Sequence, residues 1–303
     1  MSNETLRRRD CPVCGHPNTD TPAGPLSRAP WAIISCVGCG FVHMRDVPKV
    51  EALAGEFSWD KTFPIEAARR RRDSPLLAWL DARTRWRLHL FPRVEPVAII
   101  ARLAPPGPVV DIGCGGGSGM LALPEHHAPC GIEISPALAA EAAARLAPRG
   151  GRVIQASALD GLAAWPDGTL SGAVLRSFLE HDADAAAVIQ RLRRALREDG
   201  VAVVKVPNYG SINRRVMGRK WCGIRLPDHV NYFTRSSLTR MVTDAGFDIH
   251  FPLLLSLPTD DNMIAVLRPR PDAAVRPAPA VPEAAATPGM APARLAEPVA
   301  ARV

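Results

Sequence analysis

The stretch Val109–Gly119 reads VVDIGCGGGSG, an apolar run that ends in an acid and then breaks into a glycine-rich turn. A strand feeding such a turn is a common way of holding a nucleotide. The dinucleotide pattern G-x-G-x-x-G/A finds Gly117, Gly119 and Ala122, a short match that decides less than the acid does. Asp111 lies two residues before the first glycine, beside whatever the turn cradles. A pyrophosphate there would meet a carboxylate at close range, and like charges so near disfavour one another. A ligand with an ammonium and a sulfonium and no phosphate is favoured instead, and S-adenosylmethionine is such a ligand. A second acid, Glu133 in CGIEIS, ends a second apolar segment about 20 residues on, where a ribose-binding carboxylate belongs in a nucleotide-binding βαβ unit.

VVDIGCGGGSG followed by GIEIS resembles motifs I and II of the class I S-adenosylmethionine-dependent methyltransferases, and the likeness runs from Val97 to Arg268. PDGTLSGAVLRSFLEH, ending at His181, resembles the fourth strand and following turn of the subgroup that includes ubiquinone-biosynthesis methyltransferases. LRRALREDGVAVVKVPN is similar to the helix and fifth strand that come next. The resemblance implies cofactor contacts at Asp111, Gly113, Cys114, Gly115 and Gly117, at Glu133 and Ile134, and at Ser157 and Arg176. Two positions depart from the family pattern. Ser157 stands where an acid usually faces the adenine amino group, and Ser171 where the fourth strand usually opens with Asp.

Around these motifs, strands and helices alternate. PVAIIARLAPPG reads as a helix stopped by Pro105, Pro106 and Gly107; VVDI is followed by a helix through Met120 to Leu123; GIEI, a helix over Pro136–Leu146, RVIQA and GAVLRS come next. DADAAAVIQRLRRALREDG has acids at its start, Val188, Leu192 and Leu196 one turn apart, and Gly200 as its stop. VAVVKV is a fifth strand, and TRSSLTRMVTDAGF a helix capped by Thr234 and ended by Gly246. FDIHFPLLL and NMIAVLRP close the pattern as two strands. The expectation is an α/β protein with a doubly wound, mostly parallel seven-stranded sheet, ligands at the carboxyl ends of its strands, and a small N-terminal zinc-binding module. The segment PNYGSINRRVMGRKWCGIRLPDHVNYF, after the fifth strand, is too long for an ordinary connection. The division expected is a zinc module over residues 1–50, a helical connector over 51–96, a methyltransferase domain over 97–268, and a disordered alanine- and proline-rich tail over 269–303.

The module rests on four of the seven cysteines, in CPVCG (Cys11, Cys14) and CVGCG (Cys36, Cys39). Two C-x-x-C-G knuckles supply two thiolates each from a tight turn, which suits a tetrahedral zinc ion. Four thiolates leave no open position for water, so the ion is expected to be structural. A redox pair would need one C-x-x-C beside a thioredoxin-like pattern, which is lacking. His16 and His43 lie nearby and could substitute for a ligand, but read more readily as surface histidines; Cys114, Cys130 and Cys222 read as ordinary thiols.

The formal charge of +7 is unevenly placed: residues 1–108 hold 16 basic and 11 acidic side chains, residues 109–268 hold 17 and 16. The catalytic part is therefore almost balanced, and the excess sits in runs such as Arg69–Arg72 and Arg83–Arg87, which read as solvated helix faces or phosphate contacts. No apolar run is long enough to span a membrane, and the charged start MSNETLRRRD lacks the core of a secretory signal, which reads as cytoplasmic.

Methyl transfer from a sulfonium is an in-line displacement, and a hydroxyl or carbon acceptor must also lose a proton, a task suited to a histidine near its unperturbed pKa. His181, with Glu180, follows the fourth strand directly; His229 rides on the long insertion with Arg225 and Tyr232, a segment expected to cover the acceptor. The subgroup resemblance favours His181, as base or as a wall of the cofactor pocket. Three functions fit: methylation of a small molecule (sugar, polyketide or quinone-like), methylation of ribosomal RNA by an enzyme with a zinc module, or a non-catalytic zinc-binding interaction protein. Intact Asp111 and Glu133 oppose the third, while balanced charge and only two tyrosines oppose the second.

Overall fold

The computed structural model describes residues 6–49, 94–271 and 275–279, together with positions 68, 72 and 75. The connector helices, with their basic runs, and most of the tail lie outside the described residues. Four short strands build the N-terminal module: β1 (Leu6–Arg8), β2 (Ile33–Ser35), β3 (Val42–Met44) and β4 (Asp46–Pro48). β1 pairs with β4 and β2 with β3, both antiparallel.

The larger part runs α1 (Pro96–Leu103), β5 (Gly107–Ile112), β6 (His127–Glu133), α2 (Pro136–Leu146), β7 (Val153–Gln155), α3 (Ala158–Ala163), β8 (Leu170–Arg176), α4 (Ala185–Ala195) and β9 (Leu196–Pro207). The insertion adds α5 (Ile212–Met217) and β10 (Asn231–Tyr232); α6 (Arg235–Asp244), β11 (Phe247–His250) and β12 (Asn262–Pro269) follow. The seven-stranded sheet has the order β11-β12-β9-β8-β5-β6-β7. β7, β6, β5, β8 and β9 are parallel, and β12 enters antiparallel between β9 and β11.

The strands are continuous apolar runs because both faces are covered. Alternate residues supply the two cores. Val110, Ile112, Leu175 and Val204 pack with Leu162 of α3, Ile189 and Leu192 of α4 and Leu238 of α6. Val109, Val174 and Val203 pack on the opposite face with Val97 and Ile100 of α1 and Leu146 of α2. Chain order reverses between β5 and β8, and the carboxyl ends of those two strands carry Asp111 and Arg176. Among the described residues, no helix is long and apolar enough to cross a membrane.

Three local expectations change. The helix expected through Met120 to Leu123 is a single 3-10 turn, Ser118–Ala122, pinched between a left-handed Gly117 and Pro124. α4 stops at Ala195 rather than at Gly200: Leu196 turns extended and pairs with Leu170, and the register slips between Leu170 and Gly172, leaving Gly200 in the irregularity, where a Cβ would lie 2.9 Å from the Arg197 carbonyl. The penultimate strand ends at His250, because Pro252 has no N–H for a ladder and a 3-10 turn, Leu253–Leu255, follows. Thr234 does cap α6, in a reciprocal capping box with Ser237.

The insertion joins the N-terminal module. β10 pairs antiparallel with β3, Asn231 opposite His43 and Tyr232 opposite Val42. Trp31, Ile33, Met44 and Val47 of the module share one apolar cluster with Trp221, Ile224, Leu226, Val230 and Tyr232 of the insertion. Trp221 is fully buried, and its indole N–H donates to Asp261 Oδ1 at 2.6 Å. Phe41 and Phe233 pack with ring centroids 5.3 Å apart. The segment expected to cover the acceptor is thus held by a core of its own, and Tyr232 belongs to that core.

Candidate functional site

The glycine turn closes over β6: the N–H groups of Gly113 and Cys114 both donate to the Ile132 carbonyl, at 2.8 and 3.2 Å. Gly113, Gly115 and Gly117 all have positive φ. A Cβ at Gly113 would lie 2.8 Å from the Phe178 ring, whereas at Gly115 it would meet nothing within 4 Å, so the turn is walled on one side and open on the other. The Cys114 side chain points away from the opening and packs on Gly131, where a Cβ would lie 2.5 Å from its sulfur. Burial pushes its thiol up to about 12, so it is no nucleophile at neutral pH.

Two carboxylates border the turn. Glu133 accepts from the Gly115 N–H through Oε2 and from the Ser135 N–H through Oε1, both at 2.9 Å. It therefore holds the glycine turn in shape besides presenting a charge. Asp111 is buried at the end of β5, and that burial, with Glu133 adding to it and Arg176 opposing, raises its pKa to about 7. Arg176 lies exposed at the end of β8, 3.5 Å from Glu95, with its guanidinium over Gly119. Ile134 is half-buried after β6. The Ser157 hydroxyl is occupied as the cap of α3, accepting from the Asp160 N–H at 3.2 Å and donating to its carboxylate at 2.7 Å.

Glu180, His181 and His229 converge beyond the end of β8. One ligand atom from each lies within 4.8 Å of the others, and the two imidazoles meet edge to face with centroids 4.7 Å apart. Each ring is set by a main-chain carbonyl: His181 Nδ1–H donates to Asp228 and His229 Nδ1–H to Gly223, both at 2.9 Å. In that tautomer Nε2 carries the lone pair. Ser177, at the start of this turn, has φ 53°, a conformation that non-glycine residues rarely adopt. The Glu180 side chain is fully buried and its Oε2 has no hydrogen-bond partner among the described residues; burial raises its pKa to about 8. Burial, helped by the Arg225 cation, lowers His181 to about 4, well below the unperturbed value expected from sequence. Arg225 itself pairs with Asp228 at 3.2 Å.

The methyltransferase domain family matches residues 83–250, more than half of the chain. The chain belongs to that family. With its sheet order and its acid-flanked glycine turn, it is a class I S-adenosylmethionine-dependent methyltransferase. A comparison with curated proteins found no match. Among solved structures the methyltransferase is similar to the YcgJ protein of Bacillus subtilis, at 15% identity and a TM-score of 0.48, over 58% of this chain and 98% of that one. A methyltransferase of Thermotoga maritima aligns at 17% identity and a TM-score of 0.43, over 57% of this chain and 87% of that one. One of Methanosarcina mazei aligns at 16% and 0.45, over 59% and 99% respectively.

The four cysteines of the methyltransferase's N-terminal module face one another. Their sulfurs all lie within 4.8 Å, with Cys11–Cys39 at 3.5 Å and Cys14–Cys36 at 3.6 Å. Tetrahedral zinc with bonds of about 2.3 Å sets its sulfurs about 3.8 Å apart, so the set fits that ion. The two knuckles repeat one construction, with Gly15 N–H donating to Cys11 O and Gly40 N–H to Cys36 O, and both glycines left-handed. His16 is exposed, as expected; His43 is fully buried, with Nδ1 bonded to the Met44 carbonyl, because β3 is covered by β10.

Three further residues border these groups. Phe178 walls the glycine turn, Asn231 Nδ2 donates to the Leu179 and Asp182 carbonyls, and Arg9 donates to the Ala183 and Val230 carbonyls. Phe178 stands inside the quoted SFLEH, but Asn231 and Arg9 carry no local signal, since an arginine in the run RRRD reads as solvated.

Proposed function

We propose that the methyltransferase methylates a small-molecule acceptor, with His181 taking the acceptor's proton and Glu180 and His229 completing the site. The observation that carries this reading is the convergence of those three side chains in a buried setting, where Glu180 and His229 are 1% and 4% exposed. His181 beside them is half-buried, a setting that suits a small acceptor better than a bulky one. The nearly even charge of residues 109–268 agrees, since an RNA acceptor calls for phosphate-neutralising cations.

S-adenosylmethionine supplies the electrophilic methyl group when bound. The residues around the glycine turn fit it: an opening at Gly115, the Glu133 carboxylate for ribose hydroxyls, and Asp111 as a negative charge toward a cationic ligand, with Gly113, Gly117, Ile134, Ser157 and Arg176 around them. The main chain of Cys114, and not its thiol, takes part. Incubating a cell extract with radiolabelled cofactor and the enzyme, then separating by size with and without ribonuclease, tests the acceptor class. Label in small molecules is expected. Ribonuclease-sensitive label would favour RNA instead, and no label at all would indicate a non-catalytic protein.

A cationic ligand beside Asp111 favours its ionised form, so below its pKa of about 7 binding must release a proton. Cofactor affinity is therefore expected to rise with pH up to about 7, and Asp111→Asn to flatten that rise. Glu133→Ala is expected to weaken binding by about 1.5–3 kcal/mol. Calorimetry in buffers of different ionisation enthalpy reads the proton directly. A flat profile, unaltered affinity in Glu133→Ala, or a preference for NAD would overturn the cofactor assignment.

A further inference from the structure

Arg9 belongs to the N-terminal module, two residues before Cys11, yet its guanidinium is buried in the larger part of the molecule. Nε donates to the Met44 carbonyl of its own module at 3.0 Å. Nη1 donates to the Ala183 carbonyl at 2.7 Å, and Nη2 to the Val230 carbonyl at 2.6 Å and to Asn231 Oδ1 at 2.9 Å. Ala183 lies two residues after His181, and Val230 follows His229. Asn231 extends the contact: its Nδ2 donates to the Leu179 and Asp182 carbonyls, both at 2.7 Å, on either side of Glu180–His181. The N–H groups of Val230 and Asn231 both donate to the Glu180 carbonyl, at 2.8 and 3.1 Å. One cation, from more than 170 residues earlier in the chain, and one amide thus tie together the two segments that carry the histidines.

We propose that Arg9 is a positioning residue for the acceptor site, clamping the His181 and His229 segments in register through Asn231, so that the N-terminal module is a working part of the site. This rests on the reading of Glu180, His181 and His229 as that site. Four hydrogen bonds from three coplanar nitrogens are within the reach of a guanidinium, whereas an ammonium has three N–H groups on a single nitrogen. Withdrawal would take the donor from the Ala183 carbonyl and from Asn231 Oδ1, one on each segment, while the Met44 and Val230 carbonyls keep the His43 Nδ1–H and the Met44 N–H, and the two stripped acceptors favour the segments moving apart. Asp182 and Asp184, with Arg7, provide the surrounding charge: Arg7 pairs with Asp184 at 2.5 Å, and both acids act to hold the Arg9 cation.

The test uses the full-length protein, labelled with 15N-histidine and loaded with S-adenosylhomocysteine. The His181 and His229 ring signals are assigned through His181→Gln and His229→Gln. Wild type is expected to show both rings in the Nδ1–H tautomer. In Arg9→Met both are expected to average between tautomers, while affinity for S-adenosylhomocysteine stays within about threefold, since the glycine turn is a separate site. If Arg9→Met fails to fold, Arg9→Lys, which keeps the charge and loses the fork, is read in the same way. Unchanged rings in a variant that binds S-adenosylhomocysteine would overturn the proposal, as would failure of both variants to bind it, which would make Arg9 a residue of general stability. The ring signals report on the clamp whether or not the histidines catalyse, so a failure of the catalytic reading, seen as full turnover in His181→Ala and His229→Ala, is distinguishable from a failure of this one.

Discussion

His181→Ala is expected to lower methyl transfer about 100-fold or more, the usual contribution of a positioned base, with little change in cofactor affinity. Two features of the ring support that expectation. Its Nδ1–H is committed to the Asp228 carbonyl, which leaves Nε2 to receive a proton, and burial lowers its pKa to about 4, so the neutral form prevails at ordinary pH. Turnover should then show no acid limb near pH 6.5, the range of a solvated histidine. So weak a base needs help to hold the proton. Glu180, whose pKa burial raises to about 8, is mostly protonated at neutral pH and gives little. Raising the pH through about 8 ionises it beside the imidazole and stabilises the imidazolium, so turnover should climb across that range and the climb should vanish in Glu180→Gln. On sequence alone, a place on the insertion implies that His229 affects acceptor binding more than turnover. The edge-to-face contact of the two rings predicts instead that His229→Ala lowers both, because removing it opens a cavity against His181. Steady-state kinetics of the three variants between pH 6 and 9, with the acceptor found by labelling, decides this. Full turnover in His181→Ala with none in His229→Ala would move the base to the insertion, and no effect in either would point to an acceptor that needs no base.

Replacing Cys11 or Cys36 by Ser is expected to remove one bound zinc per chain, melt the N-terminal module and abolish methyl transfer, while S-adenosylhomocysteine still binds. A structural zinc supplies about 10 kcal/mol or more of folding free energy to a small module, and this module has only three-residue strands and the apolar cluster it shares with the insertion to set against that loss. The sequence alone implies a destabilised N-terminal module with cofactor binding largely intact, and leaves methyl transfer open. The reach of the loss follows from the fold: β3 carries β10, Phe41 packs on Phe233, and Arg9 reaches past both histidines. The glycine turn, by contrast, is held by β5, β6 and Glu133. Metal analysis of protein purified without chelator, thermal melting and calorimetry on the variants make the check. Absence of zinc from the wild type would refute the metal assignment, and a Cys11→Ser protein that loses zinc but keeps full activity would show that the module is an appendage.

Sequence by itself determined what depends on neighbours along the chain. The glycine turn and its flanking acids, the two cysteine knuckles, the Thr234 cap and the alternation that builds a doubly wound sheet are all written within a few residues of one another, because strand period, left-handed turns and helix caps are local. It erred where a local signal competed with pairing from elsewhere: Gly200 resembles a helix stop, but Leu196 had already been drawn into the sheet by Leu170. Tertiary structure alone decided the surroundings of Glu180, His181 and His229. Burial lowered His181 and raised Glu180, and no residue type announces its own burial. The insertion became a partner of the module because β3 offered an edge, and Arg9 found the Val230 carbonyl 221 residues away. A lone arginine in a basic run specifies nothing until folding removes water from it; once buried, its cation must be met by acceptors, and the acceptors in place are the carbonyls beside the two histidines.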